Sequence, residues 1–344
     1  MKIGLTGLNA TDNPGPGVPV ARSLKESESL NADIIGLIYD TLEPGVYMKD
    51  IASKSYLIPY PSSGLENLYE RLKGIHSKEK LDFIIPNLDS EIPGFIKLEP
   101  KLNELGIKMF LPTLEQFNMR SKDKLFDFCT KNKIKVPKNI LVSSFQDLNS
   151  ASKDFQYPVV VKGIFYDAYI ANNHEEVVTA FKKISLKWGL PIIIQEHLKG
   201  SEYNVVALGD GTGRTIGAVP MRKMYITEKG KGWAGISIDD KNLLQISYQV
   251  IEAMKWRSGL ELEFIKSAAT NEFYLLEINP RFPAWVYLGT AAGQNMPEAM
   301  IKLALKEKVE PYTSFKVGTM FVRSAWDLIT DINVFEKFTV NGEL

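Results

Sequence analysis

Acidic and amide side chains recur at alternate positions within Ser258–Pro283, which reads SGLELEFIKSAATNEFYLLEINPRFP. This pattern predicts two strands, Gly259–Ile265 and Phe273–Asn279, joined by a short polar turn. Because alternate residues of a strand share a face, one face is polar and the other apolar. The polar face is predicted to carry Glu261, Glu263, Glu277 and Asn279, and the core face Leu260, Leu262, Phe264, Tyr274, Leu276 and Ile278.

Carboxylates on neighbouring strands repel one another unless a cation lies between them. Two glutamates and an asparagine amide offer the oxygen ligands that suit Mg²⁺, which usually takes one or two protein carboxylates. Arg281 follows directly and is placed to hold an anion. The alternative is an ordinary solvent-exposed hairpin face. The apolar, rigid ending Asn279–Pro283 favours the metal site over a solvated turn.

The composition indicates a globular protein of two or three domains, with 344 residues of which 44% are hydrophobic. The 41 basic and 41 acidic residues cancel, so no nucleic-acid-binding charge pattern is present and any phosphate binding must be local. Cys129 is the only cysteine, which excludes an internal disulfide and cysteine metal motifs. With neither a signal layout nor a membrane-length apolar run, we expect a soluble, cytoplasmic protein that does not bind membranes.

Short apolar strands alternate with helical segments up to about residue 112, which predicts a doubly wound α/β domain. The predicted strands are Lys2–Leu8, Ala32–Tyr39, Asp82–Pro86 and Lys108–Leu111. Ligands of such sheets bind at the carboxyl ends of the strands, where Asp89 and Glu91 lie. These two residues either cap the following helix or contact a substrate.

The segment Gly15–Gly17, with proline between its glycines, forms a tight backbone feature before the helix Pro19–Ser29. Free N–H groups at a helix start favour an anion, so a dinucleotide site is one interpretation. The spacing is not GxGxxG, however, and Asp40 is a common strand-end residue. A structural turn or a substrate-side loop is the favoured interpretation of Asn9–Val18.

The rest of the chain predicts a second α/β region and then a β-rich one. Its predicted elements are the helices Thr113–Lys133, Glu175–Lys187, Asp240–Arg257 and Pro297–Leu305, and the strands Pro158–Lys162, Pro191–Gln195, Val205–Leu208, Thr215–Val219 and Lys316–Arg323. The residues after Lys316–Arg323 carry no assignable pattern. Lys162 ends a buried apolar strand, where its charge either meets a partner or a phosphate or extends to solvent.

In chain order, these polar residues resemble the ATP-grasp superfamily, over about residues 1–310. The match rests on two lysines, a glutamate-bearing hinge segment and the Glu…Glu-x-Asn-x-Arg series, and Leu276–Phe282 (LEINPRF) is its strongest part. Within the superfamily, the chain looks most similar to carboxylate ligases of the carbamoyl-phosphate-synthetase and biotin-carboxylase type. The implied fold is an N-terminal α/β domain (1–112), a linking helix (113–136), a small lid subdomain (137–204) and a C-terminal ATP-grasp core (205–344), the last two forming a two-lobed α+β domain.

The resemblance also implies roles for individual residues. Lys124 and Lys162 would contact nucleotide phosphates, and the hinge segment beginning at Gln195 would bind the nucleoside. In that segment Glu196 and Leu198 would bracket adenine and Glu202 would take the ribose hydroxyls. Mg²⁺, or Mn²⁺ in its place, would be held by Glu263, Glu277 and Asn279. The implied catalytic residues are Arg281, Arg222 and Lys223, with Arg281 steadying the acyl phosphate or the transferring phosphoryl group.

Two segments depart from the superfamily pattern. Lys162 is followed by Gly163–Tyr169 (GIFYDAY), which has one glycine and three aromatic residues where many relatives carry a glycine-rich phosphate loop. After Phe282 the chain reads Pro283–Tyr287 (PAWVY), where relatives are often glycine-rich. Its aromatic residues predict either a reshaped acceptor pocket or plain core packing.

These features predict a ligase that uses ATP to activate a carboxylate as an acyl phosphate and joins it to an amine or similar nucleophile. Its partners would be a small-molecule or peptide carboxylate and an amine, with a homodimer as one assembly state and no nucleic acid. One alternative is a nucleotide-binding module without turnover, acting as a partner or sensor. A less favoured one is an NAD(P)-dependent oxidoreductase that uses Gly15–Gly17.

Overall fold

The structure is a computed structural model that describes residues 1–11, 14–151, 155–164, 167–227, 232–325 and 327–344. The chain forms two compact units. The first unit comprises Met1–Phe117, Asn204–Leu262 and Asn279–Leu344, and the second comprises Asn118–Tyr203 and Glu263–Ile278. The finer division into four segments made from the sequence remains a prediction.

The first unit begins with a parallel four-stranded sheet in the order β3-β2-β1-β4. Its elements are β1 (Lys2–Leu5), α1 (Gly17–Lys25), β2 (Asp33–Ile38), β3 (Lys54–Leu57), α2 (Leu65–Glu79), β4 (Phe83–Ile85) and α3 (Ile92–Glu104). Alternate residues of β2 feed two separate cores, Ile34 packing in the core of α1 and Ile35 in the core of α2 and α3. Both faces are therefore covered, which confirms the predicted doubly wound α/β domain.

The predicted strand Lys108–Leu111 is reduced to a single bridge between Phe83 and Lys108. The other edge of the sheet is extended by the end of the chain. After α11 (Ile332–Asn341), the backbone of Gly342–Leu344 runs antiparallel to β3. The Ser55 N–H donates to the Leu344 carbonyl at 2.8 Å, and the Leu344 N–H donates to the Ser55 carbonyl at 2.9 Å. Phe338 is fully buried in the core of this unit.

The second unit contains an antiparallel sheet in the order β5-β8-β6-β7. Its elements are α5 (Lys122–Lys131), β5 (Asn139–Val142), α6 (Phe145–Ala151), β6 (Val159–Gly163), β7 (Ala168–Ala171), α7 (His174–Trp188) and β8 (Ile192–Glu196). Val159, Val161 and Ile194 pack against α7 on one face. The helix predicted over Thr113–Lys133 is two helices, because the extended backbone at Ser121 separates α5 from α4 (Leu114–Met119).

A six-stranded sheet has the order β13-β12-β9-β10-β11-β14. Its strands are β9 (Gly200–Asp210), β10 (Thr215–Ile226), β11 (Gly232–Ser237), β12 (Arg257–Ser267), β13 (Phe273–Asn279) and β14 (Met320–Val322). The helices of this part of the chain are α8 (Lys241–Met254), α9 (Tyr287–Ala291) and α10 (Met296–Ala304). The predicted pair of strands at Gly259–Ile265 and Phe273–Asn279 is thus confirmed as β12 and β13.

The predicted core face of β13 is wrong in part. Phe273 and Leu275 are buried, whereas Tyr274 and Leu276 are only half-buried. The reason is aromatic packing: the Phe273 ring meets Tyr203 edge-on at 5.2 Å between centroids, and Phe264 at 6.4 Å. Across the described residues, no helix is both long enough and apolar enough to cross a membrane.

The burial of Phe338 predicts that the C-terminal helix stabilises the N-terminal sheet. Phe338→Ala should lower the free energy of unfolding by about 3–5 kcal/mol, because it leaves a cavity in the core. Val340→Ala in the same helix is the matched control, since Val340 is 83% exposed, and it should change stability by about 0.5 kcal/mol or less. Urea unfolding followed by circular dichroism measures both. Equal effects of the two variants would show that α11 does not carry this stability.

Candidate nucleotide and metal site

Two charged side chains from separate segments of the second unit, Lys122 and Glu277, lie near Lys162. Lys122 Nζ lies 3.5 Å from a carboxylate oxygen of Glu277. Burial and the charge of Lys122 together lower the pKa of Lys162 to about 8, and the charge of Glu277 opposes both. Two cations beside a carboxylate are the groups needed to bind a polyphosphate and its metal ion.

The lysine of α5 in this cluster is Lys122, which sequence reasoning missed. The predicted residue, Lys124, has an exposed side chain. Residues two apart on a helix point in different directions, so only one of the pair can face Glu277. The sequence offers no signal that separates them, because both lysines lie in the first turn of the helix.

The segment predicted to bind the nucleoside begins at the end of β8, in the same sheet as Lys162. Gln195 pairs with Val160, and Lys162 pairs with Ile193, so Gln195 and Lys162 share the face opposite α7. Gln195 is buried and Glu196 is exposed. The Glu196 N–H donates to the Lys138 carbonyl at 2.8 Å, which joins the end of β8 to the chain before β5.

The remaining residues of this segment, Leu198 and Glu202, are half-buried. Leu198 lies between β8 and β9, and Glu202 lies on β9. The structure thus brings Lys162 and Gln195 onto one face of the sheet and places the other predicted nucleoside residues along the segment that follows Gln195. Their predicted contacts with adenine and ribose remain predictions.

The predicted metal ligands lie on β12 and β13. Glu263 and Glu277 belong to the second unit and are half-buried, and Asn279 belongs to the first unit and is buried. In the part of the chain that the structure describes, no three His, Cys, Asp or Glu side chains cluster so as to hold a metal ion. The binding of Mg²⁺ by these three residues remains a prediction.

Glu261, which is predicted to lie on the polar face of the hairpin, does not face solvent. Its side chain is only 6% exposed. One carboxylate oxygen accepts hydrogen bonds from the Asn204 amide and the Trp285 indole, both at 2.7 Å, and the other accepts from the Asn279 amide at 3.0 Å. Two of these donors, Asn204 and Trp285, lie outside the hairpin, so alternation within the hairpin could not predict that Glu261 is buried.

Arg281 is held by two carboxylates of the first unit. Its Nε donates to Asp89 at 2.7 Å, and its NH1 lies 3.7 Å from Glu261. Asp89 does not cap the next helix, whose N-cap position is Glu91. The predicted catalytic arginine is thus oriented by Glu261 and by Asp89, which follows the carboxyl end of β4.

Glu91 braces the carboxyl ends of three parallel strands. Its carboxylate accepts hydrogen bonds from the Thr6 and Tyr39 hydroxyls and from the backbone N–H of Asn87 at 2.7 Å. Burial raises the pKa of Glu91 to about 7, although these hydrogen bonds favour the charged form. Glu91 makes no side-chain cap to α3, so its role is to tie together the loops after β1, β2 and β4.

The basic pair Arg222 and Lys223 lies on β10, opposite Ile236 and Gly235 of β11. Successive side chains of a strand point to opposite faces, so Arg222 and Lys223 lie on opposite faces of this sheet, and their catalytic roles remain predictions. Of the aromatic residues Trp285 and Tyr287, predicted either to reshape a pocket or to pack in the core, Trp285 is buried in the core and Tyr287 is half-buried.

The glycine loop before α1 is occupied by backbone contacts. The N–H groups of Gly15 and Gly17 donate to the carbonyls of Asn9 and Gly7 at 2.7 and 2.9 Å. A Cβ at Gly17 would lie 2.3 Å from the Thr6 carbonyl oxygen. These two glycines thus permit close backbone packing, and their N–H groups are not available for a phosphate, as the structural-turn interpretation predicts.

Several loop residues named in the sequence predictions lie outside the described residues: 12–13 of the loop before α1, 165–166 of the segment after Lys162, and 228–231 before β11. Of the segment after Lys162, Asp167 accepts hydrogen bonds from Lys187 at 2.9 Å and from the Trp188 indole at 2.8 Å. That segment is thereby tied to the end of α7.

The chain is similar to known proteins in sequence and in fold. A family model described as "ATP-grasp in the biosynthetic pathway with Ter operon" matches residues 190–322. The carbamoyl phosphate synthase large chain of Campylobacter jejuni is 23% identical over 72% of this chain and 24% of its own length. That of Methanobrevibacter smithii is 22% identical over 84% of this chain and 28% of its own length, so the chain spans about a quarter of these relatives.

Solved structures share the fold. A Campylobacter jejuni biotin carboxylase in complex with βγ-ATP has a TM-score of 0.72 at 17% identity, covering 93% of this chain and 74% of that one. The biotin carboxylase domain of Hydrogenobacter thermophilus 2-oxoglutarate carboxylase, solved with MgADP and bicarbonate, has a TM-score of 0.71 at 17% identity, covering 93% and 73%. The resemblance inferred from the LEINPRF segment is confirmed: residues 190–322 match an ATP-grasp family model, and the chain has the fold of these biotin carboxylases.

Proposed function

We propose that the protein is an ATP-dependent ligase that converts a carboxylate into an acyl phosphate and then joins the acyl group to an amine. The observation that supports this best is the cluster of Lys122, Lys162 and Glu277. Phosphoryl transfer depends on positioning and on neutralising charge, and it needs no nucleophilic side chain. The carbamoyl phosphate synthase and biotin carboxylase likeness supports the same class of reaction.

The chemistry divides into two displacements. An oxygen of the substrate carboxylate attacks the γ-phosphorus of ATP, the bond from that phosphorus to the bridging oxygen breaks, and its electron pair leaves with ADP. The amine nitrogen then attacks the acyl carbon, the carbon–oxygen bond to phosphate breaks, and inorganic phosphate leaves while the nitrogen loses a proton. The products are an amide, ADP and phosphate.

Each residue of the proposed site either neutralises charge on the phosphates or positions a reacting group. Lys162 and an α5 lysine bind phosphate oxygens, with Gln195, Glu196, Leu198 and Glu202 along the nucleoside. Glu263, Glu277 and Asn279 would hold Mg²⁺, which when bound neutralises charge on the phosphates. Arg281 steadies the anionic group that is being transferred, and the ion pairs with Asp89 and Glu261 fix its direction.

The direct test is incubation of the protein with Mg-ATP and pools of carboxylates and amines, with ADP and AMP measured separately. We expect ADP release that depends on both pools. AMP release would contradict the acyl-phosphate route. Tight binding of Mg-ATP with no turnover in any pool would favour the alternative of a nucleotide-binding module.

The role of Glu277 predicts a strong effect of its removal. Glu277→Ala should lower metal-dependent ADP formation by about 10²–10³-fold, because a charged group at the phosphates is lost. Glu272→Ala is the matched control, since Glu272 lies directly before the same strand and pairs with Lys135 at 2.5 Å. Initial rates across a Mg²⁺ series measure both variants. Similar rates for the two would remove Glu277 from the site.

The two lysines of α5 make opposite predictions. If the contact with Glu277 marks the phosphate ligand, Lys122→Met should weaken Mg-ADP binding by at least about tenfold, as expected for a lost charge-assisted contact. Lys124→Met should leave the Kd within about twofold, since exposed charges contribute little. Calorimetric titration with Mg-ADP distinguishes them. The reverse order would assign the phosphate contact to Lys124, as the family resemblance implies.

A further inference from the structure

The carboxylate of Glu261 is buried in the first unit, and the proposed reaction uses it only to direct Arg281. A buried carboxylate is costly unless donors surround it. Here the donors are two amides and an indole at 2.7–3.0 Å, with the Arg281 guanidinium 3.7 Å away. Two of these four neighbours, Asn279 and Arg281, belong to the proposed metal-binding and catalytic sets. Glu261 therefore contacts two of the residues that are proposed to act in the site.

A carboxylate accepts hydrogen bonds and donates none, so only the nitrogen of an asparagine amide can face it. The Asn279 Nδ2 atom points to Glu261, which turns the Asn279 carbonyl oxygen to the other side of the amide. A metal ion needs that oxygen and not the nitrogen. With a side chain at 261 that both donates and accepts, either orientation of the Asn279 amide would find a hydrogen bond.

We propose that Glu261 is a positioning residue that orients the Asn279 amide, so that its oxygen is presented to the metal ion, and that anchors Arg281. This inference rests on the proposed function, because it assumes that Asn279 binds a metal. The carboxylate is suited to the task because both of its oxygens are occupied by donors: one by Asn204 and Trp285, the other by Asn279. Any rotation of the Asn279 amide would bring two oxygens together.

Glu261→Gln tests the orientation. The new amide can pair with either end of Asn279, so the metal loses a fixed ligand. We expect the Mg²⁺ concentration for half-maximal ADP formation to rise about 10–100-fold, as for other residues that orient metal ligands. Trp285→Phe is the control. It removes one donor to the same carboxylate without changing the contact with Asn279. The Mg²⁺ constant should therefore stay within about threefold of the wild-type value, even if the protein becomes less stable.

The double variant E261Q/N279D exchanges the amide and the carboxylate. The group at 279 then presents oxygens on both sides and needs no orientation, while the amide at 261 donates to it. We expect its Mg²⁺ constant to return to within about tenfold of wild type, which a purely structural role of Glu261 does not predict. If E261Q alone does not fold, this variant carries the test, and a loss above a hundredfold would overturn the inference.

Binding of Mg-ADP by the wild-type protein, measured by calorimetry, distinguishes a failure of the proposed function from a failure of the positioning role alone. If the wild type binds no Mg-ADP, the proposed function fails, and the positioning role fails with it. If the wild type binds Mg-ADP and E261Q shows the wild-type Mg²⁺ dependence, only the positioning role is overturned. A raised constant in E261Q, recovery in E261Q/N279D and an unchanged constant in Trp285→Phe together support it.

Discussion

Burying a carboxylate requires donors on every side, and this requirement shapes the first unit. Glu91 meets it with hydroxyl and backbone donors from the carboxyl ends of three strands. Glu261 meets it with two amides, an indole and a guanidinium. Because each carboxylate draws groups from distant parts of the chain, its burial determines where loops and side chains lie. Arg281 and Asn279 are positioned by the same constraint, so the geometry of the proposed site follows from stability as well as from chemistry.

Alternation and element order were enough to predict most of the fold. The doubly wound domain, the β12–β13 pair and α10 could be predicted because apolar residues recur at strand or helix spacing. The end of the chain could not be predicted. The three residues that extend the parallel sheet have no strand pattern of their own, and their pairing with β3 depends on a surface formed elsewhere in the chain.

The candidate site was predictable in kind but not in every residue. Glu277 and Lys162 were recognised from local pattern and resemblance, and they lie in one cluster with Lys122. The choice between Lys122 and Lys124 depends on the rotation of α5, which its sequence does not determine. The burial of Glu261 was missed because strand alternation says which side chains share a face, and not whether that face is covered. Here the cover comes from Asn204 and Trp285, far away in the chain.

The pairing of the last residues with β3 also bears on how the protein is made. Arg71 donates to the carbonyl of Gly342, a residue 271 positions away in the chain, and the strand pairing beside it is as distant. Contacts of such long separation form late, because the intervening chain must first be ordered. Because synthesis begins at the N-terminus, this sheet cannot be completed until residues 342–344 have left the ribosome. Until then its β3 edge is open to pairing with other chains.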